Sequence, residues 1–183
     1  MNEIPENRRV RMTRRLMKDA MLELLEQMEL SDISVTALCG KADVHRSTFY
    51  KYYTDPADLF REMEQDFVDQ IPLPPQTLDQ KSEKQLLSAT TAFFDYVKEN
   101  KRTFRVFFSE SVESGFSSRL VDRLCSSYIT LIKSGDEKVD EFIRVYIASG
   151  TVGMLREWVT SDFSVSSRQI AEMMYSLSRK LTE

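Results

Sequence analysis

The sequence has few residues that break helices and few that build reactive or metal sites. Its 183 residues include 5 Gly, 5 Pro, 2 Cys and 1 His. Cys39 and Cys125 provide neither a disulfide framework nor a metal-ligand spacing, and His45 has no obvious catalytic or zinc partners nearby. No nucleophile–base pair, phosphate-binding glycine loop or paired carboxylate site stands out. We therefore predict no enzyme, no catalytic residue, no metal and no cofactor.

Long apolar runs and alternating strand patterns are also missing. No segment approaches the length needed to span a membrane, and no apolar signal core follows the first residues. We therefore expect a cytoplasmic protein without a membrane partner. Helical periodicity dominates the chain, which predicts an all-α fold.

The most informative segment is residues 34–53, SVTALCGKADVHRSTFYKYY. Ser34 is a suitable N-cap for a helix, and Asp43 tolerates the left-handed backbone of a tight turn. The apolar spacing predicts that two short helices pack together through Val35, Leu38, Cys39, Ala42, Val44 and Phe49. The segment therefore resembles a helix-turn-helix, whose second helix enters the DNA major groove.

The second helix presents hydrogen-bond donors and no carboxylate. The residues that we predict to contact DNA are Arg11, Ser34, Thr36, His45, Arg46, Ser47, Thr48, Tyr50, Lys51 and Tyr52. The net charge of −4 argues against DNA binding only until its distribution is considered. Arg8, Arg9, Arg11, Arg14, Arg15 and Lys18 form a basic segment without any acid, so part of it is expected to contact phosphates. A solvated helix face is the alternative interpretation.

At these residues the sequence resembles TetR-family transcription regulators. RSTFYKYY at 46–53, Asp55 and Asp-Leu-Phe at 58–60 are similar to the branch with the signature R-S-T-F-Y-x-H-F/Y-x-D-K-x-D-L. Two positions depart from it, because Tyr52 replaces a histidine and Pro56 replaces a lysine that commonly holds a phosphate in that family. Proline suits the first turn of a helix, so the fold is not threatened.

The resemblance implies a three-helix head and a helical regulatory and dimerisation bundle. We predict a DNA-binding domain over 1–70 with a linking fourth helix, a proline-rich connection over 71–81, and a regulatory domain over 82–183. Expected helices cover about 9–28, a fourth helix from Pro56, about 117–132, 140–160, and a last helix containing Ile170 to Leu181. Capping boxes are predicted at Ser82 with Gln85 and at Ser166 with Gln169.

Two glycines inside a predicted long helix suggest a dimer interface. Gly150 and Gly153 each cost about 1 kcal/mol of helix stability relative to alanine, so a close helix approach would explain them. A bend or a crowded contact within the chain is the alternative. Residues 150–158 also resemble the G-x-x-G-x-x-x-E-W pattern of this branch, whose dimers join the last two helices as a four-helix bundle. The predicted interface comprises Gly150, Gly153, Met154, Ile170, Met173, Met174 and Leu177, and its symmetry implies a palindromic operator.

The sequence does not identify a ligand. Eleven aromatic residues could line a pocket or form ordinary core: Phe93, Phe94, Tyr96, Phe104, Phe107, Phe108, Phe116, Tyr128, Phe142, Tyr146 and Trp158. Arg105, Glu110, Tyr128, Arg144 and Glu157 are candidate polar groups, which surface pairing explains equally well. Some members of the branch that this sequence resembles look like regulators of dihydroxyacetone utilisation, which respond to a partner protein and not to a free ligand.

The function that we predict is a homodimeric DNA-binding repressor controlled by a small molecule or a protein. The alternative is an interaction adaptor that kept the fold and lost strong DNA binding, for which Pro56 and the negative charge argue.

Overall fold

The computed structural model describes residues 8–73, 83–109, 115–127 and 135–182, and these form helices without any strand. The α-helices are α1 (Arg8–Leu25), α2 (Val35–Ala42), α3 (Arg46–Phe49), α4 (Pro56–Gln70), α5 (Glu83–Glu99), α6 (Lys101–Phe108), α7 (Phe116–Ser127), α8 (Glu137–Thr160) and α9 (Ser167–Thr182). The all-α prediction is confirmed. None of the helices within these ranges is long and apolar enough to cross a membrane.

The chain divides into two compact units. Among the described residues, the first takes in 8–67 with 109, and the second takes in 68–73, 83–108, 115–127 and 135–182.

The core of the first unit forms where α1 packs on α2 and α2 packs on α3. Its fully or almost fully buried side chains include Met17, Met21, Leu38, Phe49, Leu59 and Phe60. The first helix ends at Leu25, three residues before the predicted end, and a 3₁₀ turn over Leu30–Asp32 follows. Leu16 and Met28 are apolar but 39% and 36% exposed. For Met28 the reason is that it lies beyond the helix end, where helical spacing no longer sets its direction.

The turn between α2 and α3 has the predicted backbone. Ser34 caps α2, since its side chain accepts a hydrogen bond of 3.1 Å from the Ala37 amide. Asp43 has φ 52° and ψ 47°, which is the left-handed conformation. The Val44 amide then donates to the Cys39 carbonyl at 3.0 Å. This bond across six residues closes the helix end in the way that usually requires glycine.

The second unit is built around aromatic side chains. Helix α5 packs on α9, and α8 packs on α6 and α7. Phe94 meets Trp158 edge-to-face at 5.3 Å between ring centroids. Phe116 contacts Phe104, Phe107 and Phe108 at 5.0–5.9 Å. These rings are buried, so the sequence interpretation of ordinary core holds for them.

Phe142 and Tyr146 do not belong to that core. They are 79% and 66% exposed on α8, and therefore line no pocket within the unit. Tyr128 and Glu110, also predicted as pocket candidates, lie outside the described residues.

Helix α8 ends in a turn with two left-handed residues. Asp162 and Phe163 have φ values of 57° and 58°. The Phe163 amide donates to the Trp158 carbonyl at 2.9 Å, and the two rings meet at 4.8 Å. Hydrogen bond and apolar contact together form a Schellman motif. The Trp158 indole also donates to the Val165 carbonyl at 2.8 Å, which fixes the chain that leads into α9.

Side-chain caps explain where the last two helices begin. Asp136 accepts hydrogen bonds from the amides of Lys138 and Val139, so α8 begins at Glu137, three residues before the predicted start. The predicted capping box of α9 is confirmed, because Gln169 accepts from the Ser166 amide at 2.9 Å and donates its own amide to Ser166 Oγ at 3.2 Å. The box predicted at Ser82 falls outside the described residues, as does the end of the helix predicted to reach residue 132.

Candidate nucleic-acid interface

The polar side chains of α2 and α3 are accessible. Most of the residues predicted to bind DNA are exposed, namely Arg11, Ser34, Thr36, His45, Arg46, Ser47, Tyr50 and Lys51, while Thr48 and Tyr52 are partly exposed. Tyr50, at 58%, is among the most exposed large apolar side chains of the first unit. Helix α3 is shorter than predicted, because Tyr50, Lys51 and Tyr52 lie in the turn that follows Phe49.

One side-chain contact joins the two helices on this polar side. The Arg46 guanidinium donates a hydrogen bond to Thr36 Oγ1. Arg46 opens α3 and Thr36 lies in the first turn of α2, so the bond links the two helix starts. Burial raises the pKa of the nearby Cys39 thiol, and the positive charge of Arg46 opposes that effect. The bond to Thr36 favours one direction of the Arg46 guanidinium.

Aromatic side chains anchor α3 from below. Phe49 is fully buried and contacts Tyr50 edge-to-face at 5.6 Å and Tyr53 at 5.7 Å. The Tyr53 hydroxyl donates to Glu62 Oε1 at 2.9 Å and accepts from Arg14 Nε at 3.2 Å. The end of the helix-turn-helix is therefore attached to both α1 and α4.

Charged groups of α1 and α4 complete this cluster. Arg14 pairs with Glu62, and Lys18 Nζ lies 2.7 Å from Glu62 Oε1 and 2.5 Å from Asp66 Oδ2. Arg14 and Lys18, both from the basic segment predicted to contact phosphates, are thus committed to ion pairs with acids of α4. For Arg14 and Lys18 the structure favours a structural role.

Ionisation in the cluster follows from these contacts. Burial raises the pKa of the Tyr53 hydroxyl to about 12, and the bond to Glu62 adds to that shift while Arg14 opposes it. Burial also raises the pKa of Glu62, but hydrogen bonds from Lys18, Tyr53 and Arg14 outweigh it, so the net pKa is lowered. Glu62 is therefore an anion and Tyr53 a neutral donor at neutral pH.

Helices α8 and α9 carry the residues predicted for dimerisation. Gly150 and Gly153 are exposed, and a Cβ built on either would meet no heavy atom of the described chain within 4 Å. A crowded contact within the chain therefore does not explain these glycines. Met173 and Leu177 are each 48% exposed, and Met154 and Met174 are half-buried. Ile170 is only 2% exposed and belongs to the interior of the second unit.

The predicted polar groups that the structure describes in the second unit differ in their surroundings. Arg105 pairs with Asp162 and lies over the Phe163 ring at 5.6 Å. Arg144 is half-buried and Glu157 is exposed.

The sequence did not single out Arg123 on α7. Its Nη1 is buried and has no hydrogen-bond partner among the described residues. Only its place on the inner side of a helix could have drawn attention to it.

The described residues contain no group of three or more His, Cys, Asp or Glu side chains that could hold a metal ion.

Comparison with known families concerns the second unit. Residues 84–180 match the TetR-type family described as "Transcriptional regulator C-terminal region". A comparison with curated proteins gives no significant match.

Solved structures resemble the whole chain. A TetR transcriptional regulator from Streptococcus agalactiae has a TM-score of 0.70 at 18% identity, with 93% of this chain and 96% of that chain covered. The dihydroxyacetone kinase operon activator DhaS has a TM-score of 0.64 at 16% identity, with coverages of 93% and 96%. NalD, the secondary repressor of the MexAB-OprM multidrug efflux pump in Pseudomonas aeruginosa, has a TM-score of 0.66 at 16% identity, with coverages of 92% and 94%. At such identities the likeness concerns the fold. Because the family model covers more than half of the chain, the protein belongs to the TetR family and is a DNA-binding transcription regulator, not an enzyme.

Proposed function

We propose that the protein is a homodimeric repressor that binds a palindromic operator in the cytoplasm. Residues 1–70 would bind DNA, 71–81 would connect, and 82–183 would dimerise and receive a small-molecule or protein effector. The observation that carries the proposal is the exposed polar surface of α3 and the turn that follows it, which includes Arg46, Tyr50 and Lys51 and lacks a carboxylate.

The assignment of base and phosphate contacts follows from side-chain chemistry. Arg46 can donate two hydrogen bonds to the edge of guanine, and its bond to Thr36 limits the conformational entropy that it loses on binding. Lys51 and Arg11 are suited to phosphates as exposed cations. Tyr50 can place its ring against a thymine methyl or a sugar. His45, Ser47, Thr48, Tyr52, Ser34 and Thr36 complete the proposed surface, in agreement with the RSTFY signature of the branch.

The dimer proposal rests on an apolar strip that the single chain leaves uncovered. Val139, Phe142, Val145 and Tyr146 are 45–79% exposed on α8, and Gly150 and Gly153 continue along the same helix. Met173 and Leu177 add exposed apolar groups from α9. Exposed apolar side chains along a helix are typical of protein interfaces. We assign the strip to a second copy, with Met154 and Met174 at its edge and without the buried Ile170.

Two observations favour the adaptor alternative. Pro56 stands where the family has a phosphate-binding lysine, and Arg14 and Lys18 are paired with acids of α4. Both reduce the charge available to DNA, so operator affinity would depend on few cations.

Genome-wide mapping of bound DNA, followed by anisotropy with the recovered fragments at several salt concentrations, tests the proposal. Binding to a two-fold symmetric site, with affinity that falls as salt rises, is expected. A dimeric protein that ignores every genomic fragment at low salt would support the adaptor instead. Transcription assays on the bound promoter would distinguish repression from activation.

A further inference from the structure

The contact between Arg46 and Thr36 differs in kind from the contacts of Arg14 and Lys18. Those two cations pair with carboxylates of α4. Arg46 instead donates a hydrogen bond from Nη2 to the neutral hydroxyl of Thr36. A carboxylate partner would compete with DNA for the guanidinium, whereas a hydroxyl orients the guanidinium and leaves its charge uncompensated.

Both residues of this contact lie at helix starts whose backbone is fixed by other groups. Thr36 is the second residue of α2, whose N-cap is Ser34, and Arg46 is the first residue of α3. The two helices pack on each other and are joined by the left-handed turn at Asp43. Both side chains are exposed. Removal of the Thr36 hydroxyl should therefore free the guanidinium without disturbing the fold.

The hydrogens of the guanidinium determine what this bond leaves available. A guanidinium has two edges that can donate a pair of hydrogen bonds, one formed by Nε with Nη2 and the other by Nη1 with Nη2. Each edge uses a different hydrogen of Nη2. The bond to Thr36 occupies one of these hydrogens, so one edge of Arg46 stays complete, and the hydroxyl determines which edge that is.

We propose that Thr36 is a positioning residue for operator sequence, because its hydroxyl directs the free edge of Arg46 toward one guanine in each half-site. Guanine fits this edge, since it presents two neighbouring acceptors, O6 and N7, in the major groove. Without the hydroxyl, the guanidinium can turn to phosphates, which carry no sequence information. The inference rests on the proposed function, because it requires α3 to lie in the major groove.

A direct phosphate contact by Thr36 is the competing role, and the two roles differ in a measurable way. A phosphate contact strengthens binding to every sequence equally. A positioning role strengthens binding only where the base that Arg46 reads is a guanine.

Fluorescence anisotropy on the full-length protein tests the proposal, with the mapped operator and with variants in which each base pair of a half-site is replaced in turn. The position that Arg46 reads is the one at which Arg46→Ala loses a preference for guanine. Thr36→Val replaces the hydroxyl with a methyl group of similar size. It should lower that preference by about three- to tenfold, the range expected for one net hydrogen bond.

Two further variants separate the hydroxyl from the rest of the side chain. Thr36→Ser keeps the acceptor and should retain the preference for guanine. In an Arg46→Ala background, Thr36→Val should change the base preference by less than about twofold, because the group that it positions is already absent.

The proposal is overturned if Thr36→Val, folded by circular dichroism, keeps the wild-type preference for guanine at this position. It is also overturned if Thr36→Val weakens binding equally for every operator variant, which would make Thr36 a phosphate contact only. If Thr36→Val fails to fold, Thr36→Ala removes the same acceptor and is judged by the same two outcomes.

The failure of this inference differs from the failure of the proposed function. A wild-type protein that binds its operator, while Arg46→Ala changes the preference for guanine at no position, would overturn the inference alone. A wild-type protein that binds no genomic fragment would overturn both.

Discussion

The Tyr53 hydroxyl donates a 2.9 Å hydrogen bond to Glu62, and this bond attaches the end of the helix-turn-helix to α4. Tyr53 is 4% exposed, and Arg14 donates to the same hydroxyl from α1. One phenol thus connects three parts of the first unit. A motion of the first half of α4 would therefore move the DNA-contacting residues with it.

Tyr53→Phe should destabilise the protein by about 1–2 kcal/mol, because it removes a buried hydroxyl and leaves its partners with one contact fewer. Chemical denaturation measures this change. Tyr50→Phe is the control, since Tyr50 is 58% exposed and its stability should stay within about 0.5 kcal/mol of the wild type. Equal effects of the two substitutions would contradict a structural role for the Tyr53 hydroxyl.

Glu62 predicts a pH dependence of stability. Burial raises its pKa, but the hydrogen bonds from Lys18, Tyr53 and Arg14 outweigh burial and leave the folded-state pKa lowered. A lowered carboxyl pKa contributes stability above the unfolded-state pKa, and this contribution is lost as the pH falls through the folded-state value. Glu62→Gln should be less stable than the wild type at neutral pH, and the difference should shrink on acidification. Parallel pH profiles for the two proteins would argue against this assignment.

Tyr50→Ala and Lys51→Ala should weaken operator binding without unfolding the protein. Both residues are exposed beside α3, so their loss removes contacts to DNA and not to the core. Lys51→Ala should also reduce the slope of log affinity against log salt by about one. Fluorescence anisotropy on the DNA upstream of its own gene measures both effects. Lys98→Ala on α5 is the matched control. Unchanged operator affinity for both Tyr50→Ala and Lys51→Ala would refute the assigned surface.

Substitutions of Gly153 distinguish a helix surface that lies in a dimer interface from one that is exposed to solvent. In the single chain, alanine at this position should add about 1 kcal/mol of stability, because its Cβ meets no atom and helix propensity improves. Gly40→Ala in α2 has the same open surroundings and should show that gain. We expect Gly153→Ala to stabilise the protein by less than Gly40→Ala does. Gly153→Leu should raise the dissociation constant of the dimer, as measured by sedimentation. Normal dimers of Gly153→Leu would remove this helix position from the interface.

Local signals were the most predictable from sequence. The contacts of Ser34, of Asp43 and of the Ser166–Gln169 capping box involve only residues a few positions away. The turn and the two helix starts were therefore predicted correctly from these residues. The polar residues of α3 were also exposed or partly exposed as expected, because Phe49 alone of that helix had an apolar side chain to bury.

Contacts between distant parts of the chain were not predictable. The basic segment looked uniform, and only the fold shows that Arg14 and Lys18 meet acids 48 residues further along. Phe142 and Tyr146 looked like core by residue type, yet helix α8 turns them outward. Arg123 looked like any helical arginine, since the burial of its Nη1 depends on neighbouring elements.

The reversal after α8 has a consequence for the surface offered to a second copy. Trp158 and the left-handed pair Asp162 and Phe163 fix the path of the chain that leads into the capping box of α9, and each residue by which the start of α9 shifted would rotate that helix by about 100°. The outward direction of Met173 and Leu177 thus depends on a turn several residues upstream. A substitution that weakens this turn, such as Trp158→Ala, would therefore weaken recognition of the second copy, although no residue of the contact surface itself is replaced.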